Sequence, residues 1–322
     1  MNTGLRITVF AAALAATFGT AYAVGSGVDE ISLKTKTTAH DQHAGTAHDD
    51  HQGAGHAPAA PPGGLQISEG GYTLDLKTPT VEAGKSTDLR FAVVRDATGR
   101  ALTAYQQEHT KELHLIVASR DLTVYRHVHP TRDADGTWSI PVTLPKAGAY
   151  RVFADFTPRG GEGLTLGADL TASGTYAPAP LPAPGTTTKV DGYEVSLHGG
   201  LTPAKGSELT LTVTKDGRPV RDLQPYLGAY GHLVALRSGD LAYLHVHPNG
   251  EPGDGETKAG PDISFMATAP STGSYRLFLD FKHNGTVHTA AFTVQAGKPT
   301  TQPDTSASAS APSAESHSGH SQ

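Results

Sequence analysis

The sequence predicts an all-β protein of two tandem immunoglobulin-like β-sandwich domains, with an N-terminal apolar helix and disordered tails. Residues 65–173 and 189–296 each contain seven short apolar runs separated by turn residues, a spacing that is typical of sandwich strands. The two stretches are also repeats of each other, since GAYRVFADF at 148–156 matches GSYRLFLDF at 273–281. A chain of 322 residues is long enough for two such domains, each with its own core.

The N-terminal segment, residues 1–24, is predicted to be a signal peptide or a membrane anchor. It is apolar from residue 5 onward with Arg6 as its only charged side chain, and Ala21-Tyr22-Ala23 fits a signal-peptidase site. The run is also about long enough to span a bilayer, which needs roughly 20 residues. Either interpretation places the rest of the chain outside the cytoplasm, secreted or anchored, and confines membrane contact to this segment.

Three further segments are predicted to lie outside the sandwiches. Residues 25–64 form a His-rich linker with few large apolar side chains, a composition that cannot bury enough surface to fold. Residues 174–188 form a stiff Pro-rich linker, and residues 297–322 a disordered tail. Histidine-rich tracts often bind metal weakly. The histidines of these tails are His40, His43, His48, His51, His56, His317 and His320.

Each domain is predicted to contain seven strands. Those of the first are 72–76, 89–94, 112–118, 123–128, 137–142, 149–156 and 164–170. Those of the second are 193–197, 208–213, 231–236, 242–246, 262–267, 274–281 and 287–294. A glycine shortly before Tyr150 and Tyr275 predicts a tyrosine corner, in which the hydroxyl bonds upstream backbone.

One stretch stands out because it occurs in both domains with three histidines at the same spacing. It is ELHLIVASRDLTVYRHVHP at 112–130 and YGHLVALRSGDLAYLHVHP at 230–248. Each copy is predicted to be a β-hairpin, with turns centred on Arg120-Asp121 and Ser238-Gly239. That register places the first histidine of each triplet across from the second, and the third lies on the same face. The two triplets are His114, His127 and His129, and His232, His245 and His247.

Three converging imidazoles predict a site for a divalent transition metal in each sandwich, since imidazole binds Zn, Cu, Ni and Fe. The chain has no Cys and only 2 Met, which disfavours Cu(I) and leaves Cu(II) or Zn(II) as the expected metal ion. Without a metal, these histidines could instead hydrogen-bond the backbone or the partner domain. Histidines without a counterpart in the other domain are predicted to be incidental surface residues; they are His109, His198, His283 and His288.

A carboxylate, Asp155 or Asp280, lies in the second-last strand of each domain, flanked by Phe. It could be a fourth metal ligand, or it could orient a ligating imidazole from outside the coordination sphere. It could equally pair with the nearby Arg151 or Arg276, or face water.

Two other functions are compatible with the sequence. A structural or protein-interaction module of the cell surface would use the hairpin faces for contacts without metal. A cupin-like metalloenzyme is suggested because Gly239, His245, His247 and Glu251 match the opening of the first cupin motif, but Lys258 stands where that motif has Gly and no second motif follows. We expect no enzymatic activity, and the net charge of −6 gives no indication of a nucleic-acid partner.

The strings GAYGHLVALRSGDLAYLHVHP, SYRLFLDF and KELHLIVASRDLTVYRHVHP resemble a family of exported proteins from high-GC Gram-positive bacteria. These have tandem immunoglobulin-like modules, and some are labelled as heavy-metal-associated. More loosely, the modules resemble YtkA-like and copper-chaperone β-sandwiches of the bacterial envelope, although Met-rich loops are missing from this sequence. The resemblance implies an extracytoplasmic protein. The partners we expect are a metal ion and a protein of the cell envelope.

Overall fold

The computed structural model describes residues 61–297, apart from His245 and the side chain of His247. The predicted apolar helix, the tail histidines and the C-terminal tail lie outside the described residues. In the described part of the chain, no helix is long and apolar enough to cross a membrane.

The first sandwich consists of two sheets. Its strands are β1 Ser68–Glu69, β2 Tyr72–Leu76, β3 Thr80–Glu82, β4 Ser86–Arg95, β5 Arg100–Ala101, β6 His114–Ser119, β7 Tyr125–Val128, β8 Thr131–Arg132, β9 Thr137–Thr143, β10 Gly148–Phe156 and β11 Leu164–Ser173. One sheet has the order β1-β2-β4-β9-β8 with β5 beside β4, and the other has the order β3-β11-β10-β6-β7. The pair β3–β11 is parallel and the other strand pairs of this sandwich are antiparallel.

The second sandwich repeats this arrangement. Its strands are β12 Thr187–Val190, β13 Tyr193–His198, β14 Gly206–Lys215, β15 Arg218–Pro219, β16 Gly231–Arg237, β17 Tyr243–Leu244, β18 Val246–Pro248, β19 Asp262–Thr268, β20 Gly273–His283 and β21 Thr286–Ala296. One sheet has the order β12-β13-β14-β19-β18 with β15 beside β14, and the other has the order β17-β16-β20-β21.

The sheet orders confirm two immunoglobulin-like sandwiches. The order β2-β4-β9-β8 corresponds to the ABED sheet of that fold, and β11-β10-β6 corresponds to its CFG sheet. All the predicted strands are present, but the predicted strand 242–246 divides between β17, which pairs with β16, and β18, which pairs with β19 of the other sheet. Cupins are double-sheet jelly rolls, so the cupin-like alternative is wrong about the fold.

Each sandwich has its own apolar core, and the two tyrosine corners are confirmed. The Tyr150 hydroxyl donates to the Lys146 carbonyl oxygen at 2.7 Å, and the Tyr275 hydroxyl donates to the Ser271 carbonyl oxygen at 2.9 Å. Both tyrosines are almost completely buried. Each bond joins residues four positions apart and fixes the backbone at the start of β10 or β20.

A third apolar cluster joins the two sandwiches. Along β6, Leu115 and Val117 belong to the core of the first sandwich, whereas the alternate residues Ile116 and Ala118 belong to the third cluster. The strand is therefore buried on both faces, which explains its continuous apolar run. The cluster comprises Ile116, Ala118, Leu122, Tyr125 and Phe153 of the first sandwich and Val234, Leu236, Leu241, Tyr243 and Phe278 of the second.

Candidate metal centre between the sandwiches

The hairpin register differs by two residues from the prediction. Leu115 pairs with Val128, so the next pair along the hairpin joins His114 to His129 rather than to His127. The turn lies further along because Leu122 adopts a left-handed backbone conformation, with φ of 57°. That conformation costs roughly 1–2 kcal/mol for an L-residue, which burial of a Leu side chain, worth about 1.5–3 kcal/mol, offsets. A two-residue shift preserves the face, so all three histidines of the first triplet still converge.

The same shift occurs in the second hairpin, where Ala235 pairs with Leu244 and Leu241 has φ of 63°. His232 is described and is only 8% exposed. His245 and the side chain of His247 lie outside the described residues, so the second triplet stays a prediction.

The first triplet brings one nitrogen of each ring to a common point. His114 Nδ1 lies 3.1 Å from His127 Nε2 and 3.2 Å from His129 Nε2. One ligand atom from each of the three rings lies within 4.8 Å of the others. Two nitrogens bound to a tetrahedral metal at about 2.0–2.1 Å are roughly 3.3–3.4 Å apart. The spacing of this nitrogen cluster is therefore close to what a metal ion requires.

The ring protons of two of these histidines are assigned by their other partners. His114 Nε2 lies 3.1 Å from the Glu108 carbonyl oxygen, which can only accept, so Nε2–H donates and Nδ1 keeps its lone pair. His127 Nδ1 lies 2.9 Å from Asp280 Oδ2, so an ionised Asp280 accepts from Nδ1–H and leaves Nε2 with a lone pair. Two lone pairs thus face each other at 3.1 Å, an arrangement that a cation between them would stabilise.

Burial keeps the rings of His114 and His129 neutral. It lowers the pKa of His114 to about 4, with the nearby His127 ring as the next cause. It also lowers the pKa of His129 to about 3, again followed by the effect of His127. Imidazole must be unprotonated at the ligating nitrogen, so the site is ready to bind metal at pH 7 without first losing protons from these two rings.

Asp280 lies on β20 of the second sandwich and reaches across to the first. Its Oδ2 accepts from His127 and from the Tyr125 hydroxyl at 3.4 Å, and its Oδ1 accepts from the Thr289 hydroxyl at 2.5 Å. Its side chain is only 4% exposed. Of the roles considered for it, orienting a ligating imidazole agrees best with these contacts, because its alternative partner Arg276 bonds to Thr293 instead.

Asp155 is the equivalent residue of the first sandwich. Its carboxylate accepts from the Thr165 hydroxyl at 3.0 Å and from the Tyr243 hydroxyl of the second sandwich at 3.4 Å. Its alternative partner Arg151 bonds to Asp169. By the sequence repeat, the histidine that corresponds to His127 is His245, which lies outside the described residues.

Two further histidines extend the cluster. The His232 ring centroid lies 6.0 Å from that of His127 and 6.3 Å from that of His114. The Nε2–H of His232 donates to the carbonyl oxygen of Tyr226 at 2.8 Å. Tyr226 lies six residues earlier in the chain, as Glu108 does relative to His114. Burial lowers the pKa of His232 to about 4.

His109 was predicted to be an incidental surface residue; its ring is exposed as predicted, but it lies beside the cluster. Its exposed ring lies 5.2 Å from that of His232 and 6.2 Å from that of His114. It stands at a cavity of about 280 Å³ that is also lined by His114, His127, His232 and Asp155. The sequence repeat does not mark His109, because the equivalent residue of the second domain is Leu227.

The surface prediction is wrong for His283 and His288, which are 8% and 7% exposed. His283 lies between the Tyr193 hydroxyl at 2.7 Å and Asp222 Oδ1 at 3.1 Å. His288 Nδ1 lies 2.8 Å from Asp191 Oδ2. These bonds satisfy buried imidazoles within the second sandwich. His198 is exposed, as predicted.

Fold and site together define a tandem immunoglobulin-like protein with a histidine cluster at the boundary between its domains. The chain belongs to the family described as Domain of unknown function (DUF8832), whose model matches residues 66–174 and 188–298. Each matched segment covers one sandwich, so the family unit is the single domain and the chain contains two copies of it.

No curated protein matches the chain. Solved structures with some likeness include the Escherichia coli adhesin FdeC, at 18% identity over 70% of this chain and 65% of that one, with a TM-score of 0.24. The Yersinia pseudotuberculosis adhesin InvE has 14% identity over 71% and 60%, with a TM-score of 0.23. A putative membrane anchored protein of Corynebacterium diphtheriae has 8% identity over 72% and 60%, with a TM-score of 0.21. The chain thus spans less than two thirds of each, and no functional conclusion follows from likenesses at this level.

Proposed function

We propose that the protein binds a divalent transition metal, Cu(II) or Zn(II), through His114, His127 and His129. The observation that supports this best is the pair of ring nitrogens, on His114 and His127, whose lone pairs face each other at 3.1 Å. An all-nitrogen donor set suits both metals, and Cu(II) binds such sites most tightly of the first-row divalent ions.

The proposal extends to the setting of the site. The apolar residues 5–24 and the resemblance to exported, heavy-metal-associated proteins support a location in the cell envelope. The sequence repeat supports a second ligand set of His232, His245 and His247. The His-rich linker would collect metal ions near these sites.

A structural role is the second candidate, and the His127–Asp280 contact favours it specifically. In this alternative a proton takes the place of the metal, so that an imidazolium at His127 pairs with Asp280 and donates to His114 Nδ1. The cluster would then fasten the two sandwiches together without any ion.

The test is metal binding by residues 25–322, prepared without an affinity tag. Zn(II) and Cu(II) are titrated at pH 7.5 in competition with a chelator that outcompetes the weakly binding tail histidines. We expect wild type to retain at least one metal ion, as counted by mass spectrometry, and to melt at a higher temperature with metal than without it. His129→Ala should bind at least tenfold more weakly, because one ligand of three is lost.

The matched control is His198→Ala, which removes an exposed histidine of the second sandwich and should bind like wild type. Absence of metal from wild type, together with equal melting temperatures with and without metal, would exclude the metal site and leave the structural alternative.

A further inference from the structure

Two facing strands from different sandwiches carry matched pairs of residues. On β7, Tyr125 and His127 are two positions apart and so point to the same face; on β20, Phe278 and Asp280 are likewise two positions apart. The Tyr125 ring stacks on the Phe278 ring with centroids 4.1 Å apart and an interplanar angle of 5°. His127 bonds to Asp280 at 2.9 Å. The strand that supplies a proposed metal ligand is thus held from the opposite domain at two successive points.

Asp280 decides which nitrogen of His127 faces the cluster. Its carboxylate accepts the Nδ1–H bond, which leaves Nε2 without a proton and fixes the plane of the ring. The Thr289 hydroxyl in turn holds the other carboxylate oxygen. Without the carboxylate, the ring proton of His127 is free to move to Nε2, and a metal ion must then displace it.

We propose that Asp280 of the second sandwich positions His127 of the first for metal binding, so that metal affinity and the pairing of the sandwiches are thermodynamically linked. This inference rests on the proposed function. Linkage is reciprocal: whatever the bound metal contributes to holding the domains together, the paired domains contribute to holding the metal. Asp280 is a positioning residue, since it touches a ligand and not the metal.

The test compares Zn(II) affinities of residues 25–322 at pH 7.5 by chelator competition. Asp280→Asn should raise the dissociation constant about 10–100-fold, the usual effect of losing a carboxylate that orients a metal-bound histidine. In a His127→Ala background the same substitution should add no further loss, because the ring that it orients is gone. The melting temperature of the metal-free variant reports any purely structural effect separately.

The control is Asp169→Asn, which makes the same substitution at another carboxylate of the first sandwich. The Asp169 side chain is 79% exposed and bonds to Arg151, so its loss should leave the Zn(II) affinity within about threefold of wild type. Thr289→Val is a milder second variant in case Asp280→Asn does not fold. It removes a hydroxyl from an exposed residue and should weaken binding severalfold.

The reciprocal experiment uses Phe278→Leu, which alters the interdomain stack with Tyr125 without changing a proposed ligand. It is compared with Phe153→Leu in the corresponding contact with Tyr243, where the rings are tilted by 42° with centroids 5.7 Å apart. We expect only the first to weaken Zn(II) binding. Wild-type binding with unchanged affinity in Asp280→Asn and Thr289→Val would overturn the inference and leave the proposed function standing. Failure of wild type to bind either Zn(II) or Cu(II) would overturn both.

Discussion

Acid should destabilise the metal-free protein through its buried histidines well before its carboxylates titrate. In the folded state burial lowers the pKa of His114 and His232 from 6.5 to about 4. Between these values the unfolded chain binds more protons than the folded one, so the free energy of unfolding falls as the pH falls. The stabilisation is complete above about pH 6.5 and is lost progressively toward pH 4.

The size of the effect follows from the two pKa values. A group whose pKa moves from 6.5 to about 4 on folding contributes about 2 kcal/mol less stability at pH 5 than at pH 7. Both residues are 8% exposed, so solvent screening does not reduce the figure substantially. Together they should remove about 3–4 kcal/mol, a large part of the 5–15 kcal/mol that holds a typical domain together.

The assay is urea unfolding of chelator-treated protein at pH 7 and pH 5, followed by fluorescence of Trp138. This is the only tryptophan in the chain, and it is 3% exposed in the first sandwich. Other groups titrate over the same range, so the informative quantity is the difference between wild type and a His114→Gln, His232→Gln double variant. We expect the variant to lose about 3–4 kcal/mol less on acidification.

His198→Gln is the control and should match wild type, since this side chain is exposed. Equal losses in wild type and the double variant would refute the reasoning, because they would show that neither buried ring resists protonation in the folded state.

Three further predictions concern the fold and its location. Tyr275→Phe should lower the free energy of unfolding by about 1–3 kcal/mol in urea, since it removes the bond to the Ser271 carbonyl and leaves that oxygen unpaired; an unchanged midpoint would contradict the tyrosine corner. Residues 186–296 alone should give β-type circular dichroism with a cooperative melt, because the second sandwich has its own core, and a helical spectrum would be evidence against this. The same fragment should self-associate in sedimentation experiments, because Tyr243 and Phe278 are no longer covered by the first sandwich, and a monomer at all concentrations would be evidence against this. Alkaline phosphatase fused after Gly64 should be active in cells if residues 1–24 direct export, whereas activity confined to the cytoplasm would refute that assignment.

The strands could be predicted because their apolar runs and turn residues are local signals. The packing interface between the two domains could not be predicted. The unbroken runs at 115–118 and 233–236 show that both faces of β6 and β16 need cover. A single sequence does not indicate that the run in β6 packs against the run in β16. The bond between His127 and Asp280 joins residues 153 positions apart, and no periodicity reaches that far.

The sequence predicted the correct face for the histidines of each hairpin but the wrong cross-strand partners, and the difference has a physical reason. Ser238-Gly239 suits a tight turn, and a leucine in the left-handed region is uncommon, so the sequence favoured the shorter turn. Leu122 and Leu241 adopt that backbone because their side chains are buried in the cluster between the sandwiches. A tertiary contact thus overrides the local preference.

The near-equivalence of the two halves has a consequence for how the protein can change. Tyr125 faces Phe278 as Tyr243 faces Phe153, which is the self-complementary pattern of an isologous homodimer interface, fused into one chain. In a true homodimer every substitution occurs on both sides at once. Fusion into one chain removes that constraint, so the two copies can differ in sequence. In the turn before each hairpin, one copy has His109 and the other has Leu227, and both residues have positive φ. One half can therefore gain or lose a polar group beside the cluster while the other keeps the original packing.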